Sequence, residues 1–456
     1  MFNVSNQFTV IYGGKPISYN TIMKKVDYYY NYFNLSKHSK RTAVLFTSSH
    51  SPEFLYIMLA VWKAGLVAVP LDSKITYEQM LNYKIPTLHN FIIHYNETTS
   101  SYRNQFFVNE NAGPERINGD LIIYTSGTES SPKGIVHNFE TLTKAAEFWG
   151  KLANVSNNDM WIASIPLYHI GGISILFRAM LFGTKLFFPS RIKSLTMFDE
   201  IKRLNVTYMS LVNPQLEYLV NNNVELPKTL KQIYLGGSAI TKSLLLKAKE
   251  KNLPAILVYG STETGAMISS VDLKDIDNFD NINYKPFDGV DISVDKFEDD
   301  ESGLIKVLSP SNCVAKIENG EFIKLNPTDP ISINDIIKLN EDKTFSVLGR
   351  VDNVIISGGY KVNLSKIQSL MMNFQSVKDV YLKGIEDEKL GAKLIAVLYT
   401  EDNIDKEELK RYLEENLGKY EIPKSIYVTQ KPFVNDLGKA VANEIIPSLN
   451  KFEQLI

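Results

Sequence analysis

Residues 124–134 read YTSGTESSPKG, and they carry the strongest local signal in the 456-residue chain. The apolar run at 121–124 predicts a short strand, so these residues form a loop that leaves a strand. Ser, Thr and Gly in such a loop offer N–H groups and hydroxyls to anionic oxygens, and Lys133 adds a mobile positive charge. The pattern is not the G-x-x-x-x-G-K-[ST] loop of many nucleoside triphosphatases. It predicts a polyphosphate site, with an ordinary polar turn as the alternative.

Strand-like and helix-like segments alternate on both sides of this loop. Before it, strands at 41–47 and 66–70 flank a helix at 52–64, and after Lys133 the chain is expected to become helical near 141–151. This alternation predicts sheets covered by helices. Further strands are expected at 159–166, 185–189, 208–212, 232–235 and 255–259.

The pattern changes twice toward the C-terminus. Residues 272–348 contain many short β-like runs without a long helix pattern, which predicts sheets or a small barrel. After Arg350 a compact α/β pattern follows. The predicted fold class is therefore α/β, with residues 1–350 as a large domain of helix-covered sheets that includes a small β subdomain. Residues 351–456 are predicted to form a small mobile α/β domain.

Composition narrows the possible classes of protein. Hydrophobic residues make up 44% and charged residues 22%, which is typical of a globular protein. A net charge of −2 predicts no bulk attraction to nucleic acid or to an anionic membrane. The single cysteine, Cys313, rules out an internal disulfide and a cysteine-rich zinc site, and it favours a cytoplasmic location. The apolar stretches at 54–69 and 170–188 are interrupted by Lys, Gly or Arg and are expected to be core elements, so no membrane span is predicted.

Two later motifs carry groups suited to a nucleotide. In YGSTET at 259–264, Tyr259 offers an aromatic face, Thr262 a hydroxyl, and Glu263 a hard oxygen of the kind that Mg²⁺ prefers. A helix N-cap is the simpler reading of the Thr-Glu pair. Further on, the carboxylate of Asp335 can accept from two vicinal hydroxyls, and Arg350 can bind ribose or phosphate. Together these groups predict a site for a nucleoside triphosphate with magnesium.

These motifs, in this order, resemble those of the adenylate-forming superfamily, which includes acyl-CoA synthetases, luciferases and peptide-synthetase adenylation domains. The resemblance runs from the loop at 124–134 almost to the C-terminus. It departs from the family at Glu129 and Ser130 in the loop, at Asn334 before Asp335, and at Leu437 in NDLGK at 435–439. An acidic residue beside a triphosphate would weaken ATP binding unless its side chain points away.

The resemblance implies that the protein is an AMP-forming acid–thiol ligase that uses ATP, Mg²⁺ and coenzyme A. It assigns Asp352 to a hinge, and the glycine-rich run ISGGYKV at 356–362 to the thiol side through Gly358 and Gly359. Lys439 would bridge the acyl carboxylate and the α-phosphate, and Glu263 would hold the metal. The implied ATP-binding residues are Thr125, Ser126, Gly127, Thr128, Lys133, Gly237, Ser238, Tyr259, Gly260, Asp335 and Arg350. The implied catalytic residues are Lys439, Thr262, Glu263 and His169.

The run PLYHIGG at 166–172 resembles the acyl-pocket motif of this superfamily. The implied acid-binding residues are His169, Gly171, Gly172 and Gly236. A mostly apolar helix pattern follows, and it contains one cation, Arg178. Within the superfamily, this pattern and the short chain resemble the o-succinylbenzoate–CoA ligases of menaquinone synthesis. That substrate has a second carboxylate for which Arg178 is a candidate partner, although pairing with a protein carboxylate or reaching solvent is the simpler reading for Arg178 alone.

Three other interpretations stay open from the sequence. The acid could be fatty or aromatic, because those ligases share most of the same motifs. A stand-alone adenylation enzyme would load a carrier protein instead of coenzyme A. A nucleotide-binding homologue with weak or no catalysis is the third, and it rests on the altered residues at 129, 130, 334 and 437. The expected partners are a small carboxylic acid, ATP and CoA, with a homodimer as a further expectation.

Overall fold

The fold was analysed in a computed structural model of the chain. The residues that this structure describes are 4–38, 42–83, 85–86, 89–97, 99–108, 119–125, 132–192, 194–237, 240–279, 281–297, 302–351, 354–357, 360–387, 390–430, 445, 449 and 452–455.

Strands and helices alternate through the first 260 residues, strands dominate from 269 to 363, and two further helices lie in the C-terminal part. The helices are α1 (Tyr19–Tyr32), α2 (Pro52–Lys63), α3 (Tyr77–Met80), α4 (Phe139–Leu152), α5 (Ile170–Phe182), α6 (Ser194–Leu204), α7 (Asn213–Asn221), α8 (Lys242–Glu250), α9 (Leu364–Met372) and α10 (Lys406–Asn416). The strands up to residue 259 are β1 (Thr9–Tyr12), β2 (Lys15–Ile17), β3 (Ala43–Thr47), β4 (Val67–Leu71), β5 (His89–Asn96), β6 (Ser101–Val108), β7 (Leu121–Thr125), β8 (Lys133–His137), β9 (Met160–Ile162), β10 (Lys185–Phe188), β11 (Tyr208–Leu211), β12 (Gln232–Leu235) and β13 (Ala255–Tyr259). The later strands are β14 (Ser269–Asp272), β15 (Asn283–Pro286), β16 (Asp291–Lys296), β17 (Ser302–Leu308), β18 (Ala315–Glu318), β19 (Glu321–Lys324), β20 (Ile331–Leu339), β21 (Phe345–Arg350), β22 (Val354–Ser357), β23 (Tyr360–Asn363), β24 (Val377–Asp387), β25 (Gly391–Thr400), β26 (Ser425–Thr429) and β27 (Glu453–Gln454).

A 13-stranded sheet has the order β16-β17-β20-β21-β15-β14-β13-β12-β11-β9-β10-β1-β2. From β13 to β1 neighbouring strands run parallel, and from β14 to β16 they run antiparallel. The parallel part matters for function, because ligands bind outside the carboxyl ends of parallel strands in open α/β sheets.

An 8-stranded sheet has the order β19-β18-β8-β7-β4-β3-β5-β6. One core cluster contains side chains from this sheet, such as Phe46, and from the larger sheet, such as Trp161, together with residues of α2, α4 and α5. Those three helices therefore lie between the two sheets. Nearly every residue of α2 from Phe54 to Trp62 is buried, which explains why its sequence is apolar on all sides.

The described residues after 353 build a separate 6-stranded sheet of order β23-β22-β25-β26-β27, with β24 paired to β25. It has its own core, in which α9 and α10 contribute Ile367, Met371, Leu409 and Leu413. The predicted fold class is confirmed: a large N-terminal region of helix-covered sheets is followed by a smaller C-terminal α/β unit.

Two local features of the fold go beyond the sequence prediction. The helix predicted near 141–151 is confirmed as α4, but β8, which was not predicted, precedes it and pairs antiparallel with β7. The strands between 272 and 348 form sheets, which is one of the two predicted alternatives, and not a barrel: β14–β17, β20 and β21 extend the larger sheet while β18 and β19 extend the smaller one.

Candidate active site

The strands on either side of the proposed phosphate loop form a hairpin. Thr125 ends β7 and pairs with Lys133, which begins β8, and the Thr125 hydroxyl donates to the Lys133 carbonyl over 3.4 Å. The Lys133 ammonium lies 3.7 Å from the carboxylate of Glu318 on β18, and both side chains are about one-third exposed (35% and 36%). Lys133 therefore lies at the loop end of the hairpin, where solvent weakens its ion pair. Ser126, Gly127, Thr128, Glu129 and Ser130 lie outside the described residues.

Tyr259, Asp335 and Arg350 form a connected polar cluster. The Tyr259 hydroxyl donates to one oxygen of Asp335 over 2.7 Å, and Arg350 donates to the other oxygen over 3.0 Å. Burial and the adjacent Asp335 carboxylate raise the pKa of Tyr259 well above its ordinary value, so the phenol stays protonated and donates. The carboxylate of Asp335 is thereby fixed in place by a donor on each oxygen.

The strand register explains why residues 335 and 350 meet. Asp335 on β20 and Arg350 on β21 are direct cross-strand partners in an antiparallel pair. The register shifts between Ile336 and Ile337, so one extra residue of β21 is accommodated there. Gly349, next to Arg350, has φ +149°, a conformation that glycine adopts without steric cost.

The ends of β12 and β13 come together beside this cluster. Leu235 pairs with Leu257, so Gly236 and Gly237 lie next to the last residues of β13. A Cβ added to Gly236 would lie 2.8 Å from the Val258 side chain, and Gly237 has φ +85°. Glycine is therefore needed at both positions, and the backbone passes close to Tyr259. Ser238 lies outside the described residues.

The turn after β13 carries Thr262 and Glu263, whose side chains are half-buried. Gly260 begins it at a point where a Cβ would lie 1.5 Å from the carbonyl oxygen of Ala266, so no other residue fits. The Thr264 hydroxyl accepts from the Ser261 N–H over 2.9 Å and is fully buried, so it stabilises the turn from inside. The side chains available to a ligand from this turn are thus those of Thr262 and Glu263.

His137 is a site residue that the sequence analysis missed. It ends β8, four residues after Lys133, and its Nε2–H donates to the Thr262 carbonyl over 2.8 Å. Burial lowers its pKa to about 4, so the imidazole is neutral near pH 7. The signal was present in the sequence, because residues at even spacing on a strand share a face, but it required β8 to be identified as a strand.

On the proposed acid side, His169 precedes α5 as its N-cap residue. The Tyr168 hydroxyl donates to Asp72 over 2.9 Å, which joins this turn to the end of β4. A Cβ on Gly172 would lie 2.3 Å from the Pro166 carbonyl oxygen, so the first turn of the helix packs directly on the preceding loop. Gly171 is half-buried in the same turn.

Arg178 of α5 is a buried cation among aromatic rings. Only 3% of the residue is exposed, and its guanidinium carbon lies 5.2 Å from the ring centroid of Trp161 and 5.8 Å from that of Tyr234. Burial lowers the pKa of Arg178 to about 10, so it remains charged near pH 7. Its Nε has no hydrogen-bond partner, and among the described residues no carboxylate forms an ion pair with it. The simpler expectation, a protein carboxylate or free access to solvent, is therefore wrong for the described part of the chain.

The described residues also bear on metal binding and on membranes. No group of three or more His, Cys, Asp or Glu side chains among them could hold a metal ion without a ligand's help. No helix in the same part of the chain has the length and apolar content to cross a bilayer.

The predicted residues Lys439, Asp352, Gly358 and Gly359 lie outside the described residues.

Comparisons with known proteins show which sequences this chain is similar to. Residues 87–311 match the family of AMP-binding enzymes. The chain is 28% identical to the 2-succinylbenzoate–CoA ligase of Listeria monocytogenes serotype 4b over 331 residues, which cover 71% of this chain and 69% of that protein. It is 26% identical to the ligase of the same name from Bacillus subtilis strain 168 over 441 residues, covering 90% of this chain and 89% of that protein.

Solved structures share the fold over almost the whole chain. The o-succinylbenzoate CoA synthetase from Bacillus subtilis in complex with its acyl-adenylate intermediate has a TM-score of 0.80 at 21% identity, covering 96% of this chain and 95% of that one. ATP-bound MatB from Rhodopseudomonas palustris has a TM-score of 0.79 at 17% identity, with 97% and 96% covered. Because two differently named proteins match equally well, the fold alone does not select an acid.

Proposed function

We propose that this chain, whose AMP-binding domain and fold are those of the adenylate-forming enzymes, joins o-succinylbenzoate to coenzyme A in an ATP-dependent reaction through an acyl-adenylate. The observation that carries the choice of acid is Arg178, a buried cation that contacts Trp161 and Tyr234 but no carboxylate of the described residues. A buried charge without a partner is costly, so a substrate carboxylate is a suitable counter-ion. The names of the relatives support the same acid.

In the first half-reaction, an oxygen of the acid's carboxylate attacks the α-phosphorus of ATP, the bond to the bridging oxygen breaks, and pyrophosphate leaves. This chemistry depends on positioning and on positive charge near the phosphate oxygens. We assign the triphosphate to Lys133 and the hydroxyl-rich residues before it, the adenine to the face of Tyr259, and the ribose to Asp335 and Arg350. Lys439 would bridge the carboxylate and the α-phosphate.

The turn at 260–265 fits a magnesium ion that is held mainly by the nucleotide. Mg²⁺ usually takes one or two carboxylates and completes its shell with substrate phosphates and water. Glu263 supplies one half-buried carboxylate, and the described residues offer no cluster of acids that would replace the phosphates. When bound, the ion would neutralise charge on the phosphate oxygens. Thr262 would donate its hydroxyl to the same group.

In the second half-reaction, the thiol of coenzyme A attacks the acyl carbonyl carbon and AMP leaves. We propose that residues 351–456 act as a mobile domain for this step, while residues 1–350 keep the adenylate in place. Rotation about Asp352 would remove Lys439 from the site and bring Gly358 and Gly359 toward the thiol. Completion of a site by domain movement requires a few residues that can change φ and ψ.

Replacement of Asp352 by proline should separate the two half-reactions. Proline fixes φ near roughly −65°, so the hinge would be held in one orientation. We expect thioester formation to fall far more than adenylation, each measured by rapid quench. Asp352→Ala, which removes the same side chain without fixing φ, controls for the loss of the carboxylate. If both rates of Asp352→Pro stay near wild type, rotation at this residue is not required.

A panel of acids tests the proposed substrate. We expect kcat/KM for o-succinylbenzoate to exceed that for benzoate and for a medium-chain fatty acid, measured by acid-dependent pyrophosphate exchange and then by thioester formation with coenzyme A. Arg178→Met should lower the ratio of o-succinylbenzoate to benzoate by at least roughly tenfold, because about 1.4 kcal/mol or more is lost when one member of a buried charge pair is removed.

Two further variants make this test specific. His169→Ala should lower kcat/KM for all aromatic acids, because His169 stands at the start of α5 next to the acyl motif. Arg178→Lys, which keeps the charge, should retain part of the preference for the dicarboxylic acid. A strong preference of the wild type for the fatty acid would remove o-succinylbenzoate as the substrate and leave the acid–CoA ligase reaction in place.

The alternatives are separated by the same assays. An enzyme that loads a carrier protein would exchange pyrophosphate but form its thioester with phosphopantetheine on a protein rather than with free coenzyme A. A non-catalytic homologue would bind ATP without exchange for any acid. The retained Lys133, Glu263, Asp335 and Arg350 favour catalysis. The homodimer and the cytoplasmic location expected from the sequence stay predictions.

A further inference from the structure

One strand connects the phosphate loop to the turn that carries Thr262 and Glu263. Lys133 begins β8 and His137 ends it, and their even spacing puts both side chains on the same face of the strand. His137 is fully buried, its Nε2–H donates to the Thr262 carbonyl over 2.8 Å, and its Nδ1 lies 3.1 Å from the Thr141 hydroxyl. The imidazole therefore bridges the smaller sheet, α4 and the turn after β13.

The turn is held by its backbone carbonyls. Three successive carbonyl groups each accept a hydrogen bond from outside the turn: Thr262 from Nε2 of His137 (2.8 Å), Glu263 from the N–H of Cys313 (2.7 Å), and Thr264 from the hydroxyl of Ser311 (2.8 Å). Cys313 and Ser311 belong to the segment between β17 and β18. Of these three donors, His137 alone belongs to the strand that begins at Lys133.

We propose that His137 is a positioning residue that sets the Thr262–Glu263 turn relative to Lys133 at the start of β8, and so aligns the groups that hold MgATP. The inference rests on the proposed function, because it assigns the loop to the triphosphate and Glu263 to the metal. A neutral imidazole suits this task, since it donates from one nitrogen to a buried carbonyl while a rigid ring fixes the separation of the two backbones.

Loss of the His137 imidazole should weaken binding of the nucleotide and leave binding of the acid nearly unchanged. Without the imidazole, the Thr262 carbonyl loses a buried donor and the side chains of Thr262 and Glu263 are free to shift from the phosphates. His169 and Arg178 are held by α5, so binding of the acid should change little. If His137 had a purely structural role, its replacement would lower the free energy of unfolding without weakening nucleotide binding more than acid binding.

The experiment compares three substitutions of His137 with one matched control. His137→Ala removes both nitrogens. His137→Gln places an amide N–H near the position of Nε2, whereas His137→Asn reaches only as far as Nδ1. The control is His50→Ala, because His50 is a half-buried histidine whose Nε2 likewise lies 2.8 Å from a backbone carbonyl, that of Ala163. Thermal unfolding, calorimetric binding of MgATP and of AMP, and KM for ATP and for the acid are measured for each.

We expect His137→Ala and His137→Asn to weaken MgATP binding and raise KM for ATP by roughly tenfold, the scale of one lost buried hydrogen bond. KM for the acid should stay within about twofold by the same argument, and His137→Gln should recover most of the affinity. His50→Ala should lower the unfolding temperature without this shift. If His137→Ala does not fold, the difference between Gln and Asn decides.

Equal MgATP affinity in the Gln and Asn variants, or equal losses in His137→Ala and His50→Ala, would overturn the positioning role. The calorimetric measurement separates this result from a failure of the proposed function. A wild-type protein that binds MgATP but activates none of the acids would contradict the ligase assignment, while His137 could still be judged by its effect on nucleotide binding.

Discussion

Replacement of Asp335 by alanine should lower kcat/KM for ATP in adenylation by roughly two orders of magnitude. The two ribose hydroxyls would lose their hydrogen bonds to a charged acceptor, which together contribute about 3 kcal/mol or more. The carboxylate is buried and accepts from Tyr259 on one oxygen and from Arg350 on the other. Its removal takes the acceptor from the Tyr259 phenol and one ion-pair partner from the Arg350 guanidinium. Both the ribose site and the adenine face should then lose their fixed geometry. Pyrophosphate exchange at varied ATP gives the measurement.

Tyr259→Phe is the matched control for this prediction. It removes the hydroxyl that reaches Asp335 but keeps the aromatic ring, which packs edge-on against Phe345 with 5.2 Å between ring centroids. If the ring serves the adenine and the carboxylate serves the ribose, Tyr259→Phe should stay within about fivefold of wild type, a loss of roughly 1 kcal/mol. An Asp335→Ala enzyme with the wild-type KM for ATP would contradict the assignment of this carboxylate to the nucleotide.

Lys439→Ala should slow adenylation by roughly two or more orders of magnitude, as expected when a main charge contact to the transition state is lost. In the sequence this lysine follows a glycine near the C-terminus, and from the resemblance of this motif we propose that it bridges the acyl carboxylate and the α-phosphate. Thioester formation from preformed acyl-adenylate should be spared, since the lysine is expected to leave the site before that step. Single-turnover assays that start from acid and ATP, or from the adenylate, separate the two rates.

A surface lysine of the same C-terminal region controls for charge. Lys410 is exposed on α10, and Lys410→Ala should leave both half-reactions within about twofold, as is usual for an exposed side chain away from a site. Equal losses of both steps in Lys439→Ala would show that the lysine does not act in adenylation alone. Equal losses in the two lysine variants would point to a general effect on the C-terminal unit.

Much of the fold followed from short apolar runs that are buried on both faces. The strands predicted at 232–235 and 255–259 coincide with β12 and β13, and the helix predicted at 52–64 differs from α2 by one residue. β8 was missed because KGIVH is only five residues long, contains glycine and directly follows a loop rich in turn residues. The division of the strands after residue 272 between two sheets is a property of long-range pairing, which local patterns do not contain.

Site residues were predictable where the chemistry of a side chain and its spacing in the sequence indicated the same role. Asp335 and Arg350 were chosen as a pair although Asn334 departs from the family pattern, and the cross-strand register brings their side chains into contact. The hydrogen bond from Tyr259 to Asp335 was not predictable, because it joins residues on two strands that are 76 positions apart in the sequence. The role of His137 was not predictable for the same reason. A neutral histidine in an apolar strand can be assigned a role only when its hydrogen-bond partner, here a distant backbone carbonyl, is known.

The lone cysteine of the chain has a practical consequence for measuring domain movement. Cys313 is 4% exposed, and burial raises the pKa of its thiol to about 12. Almost none of it is thiolate at neutral pH, so thiol-specific dyes should leave it unmodified. Two cysteines introduced on the surface, one before and one after residue 352, could therefore carry a donor and an acceptor fluorophore in a chain that keeps Cys313. Its backbone N–H would continue to hold the Glu263 carbonyl while energy transfer reports the distance between the two labels during turnover.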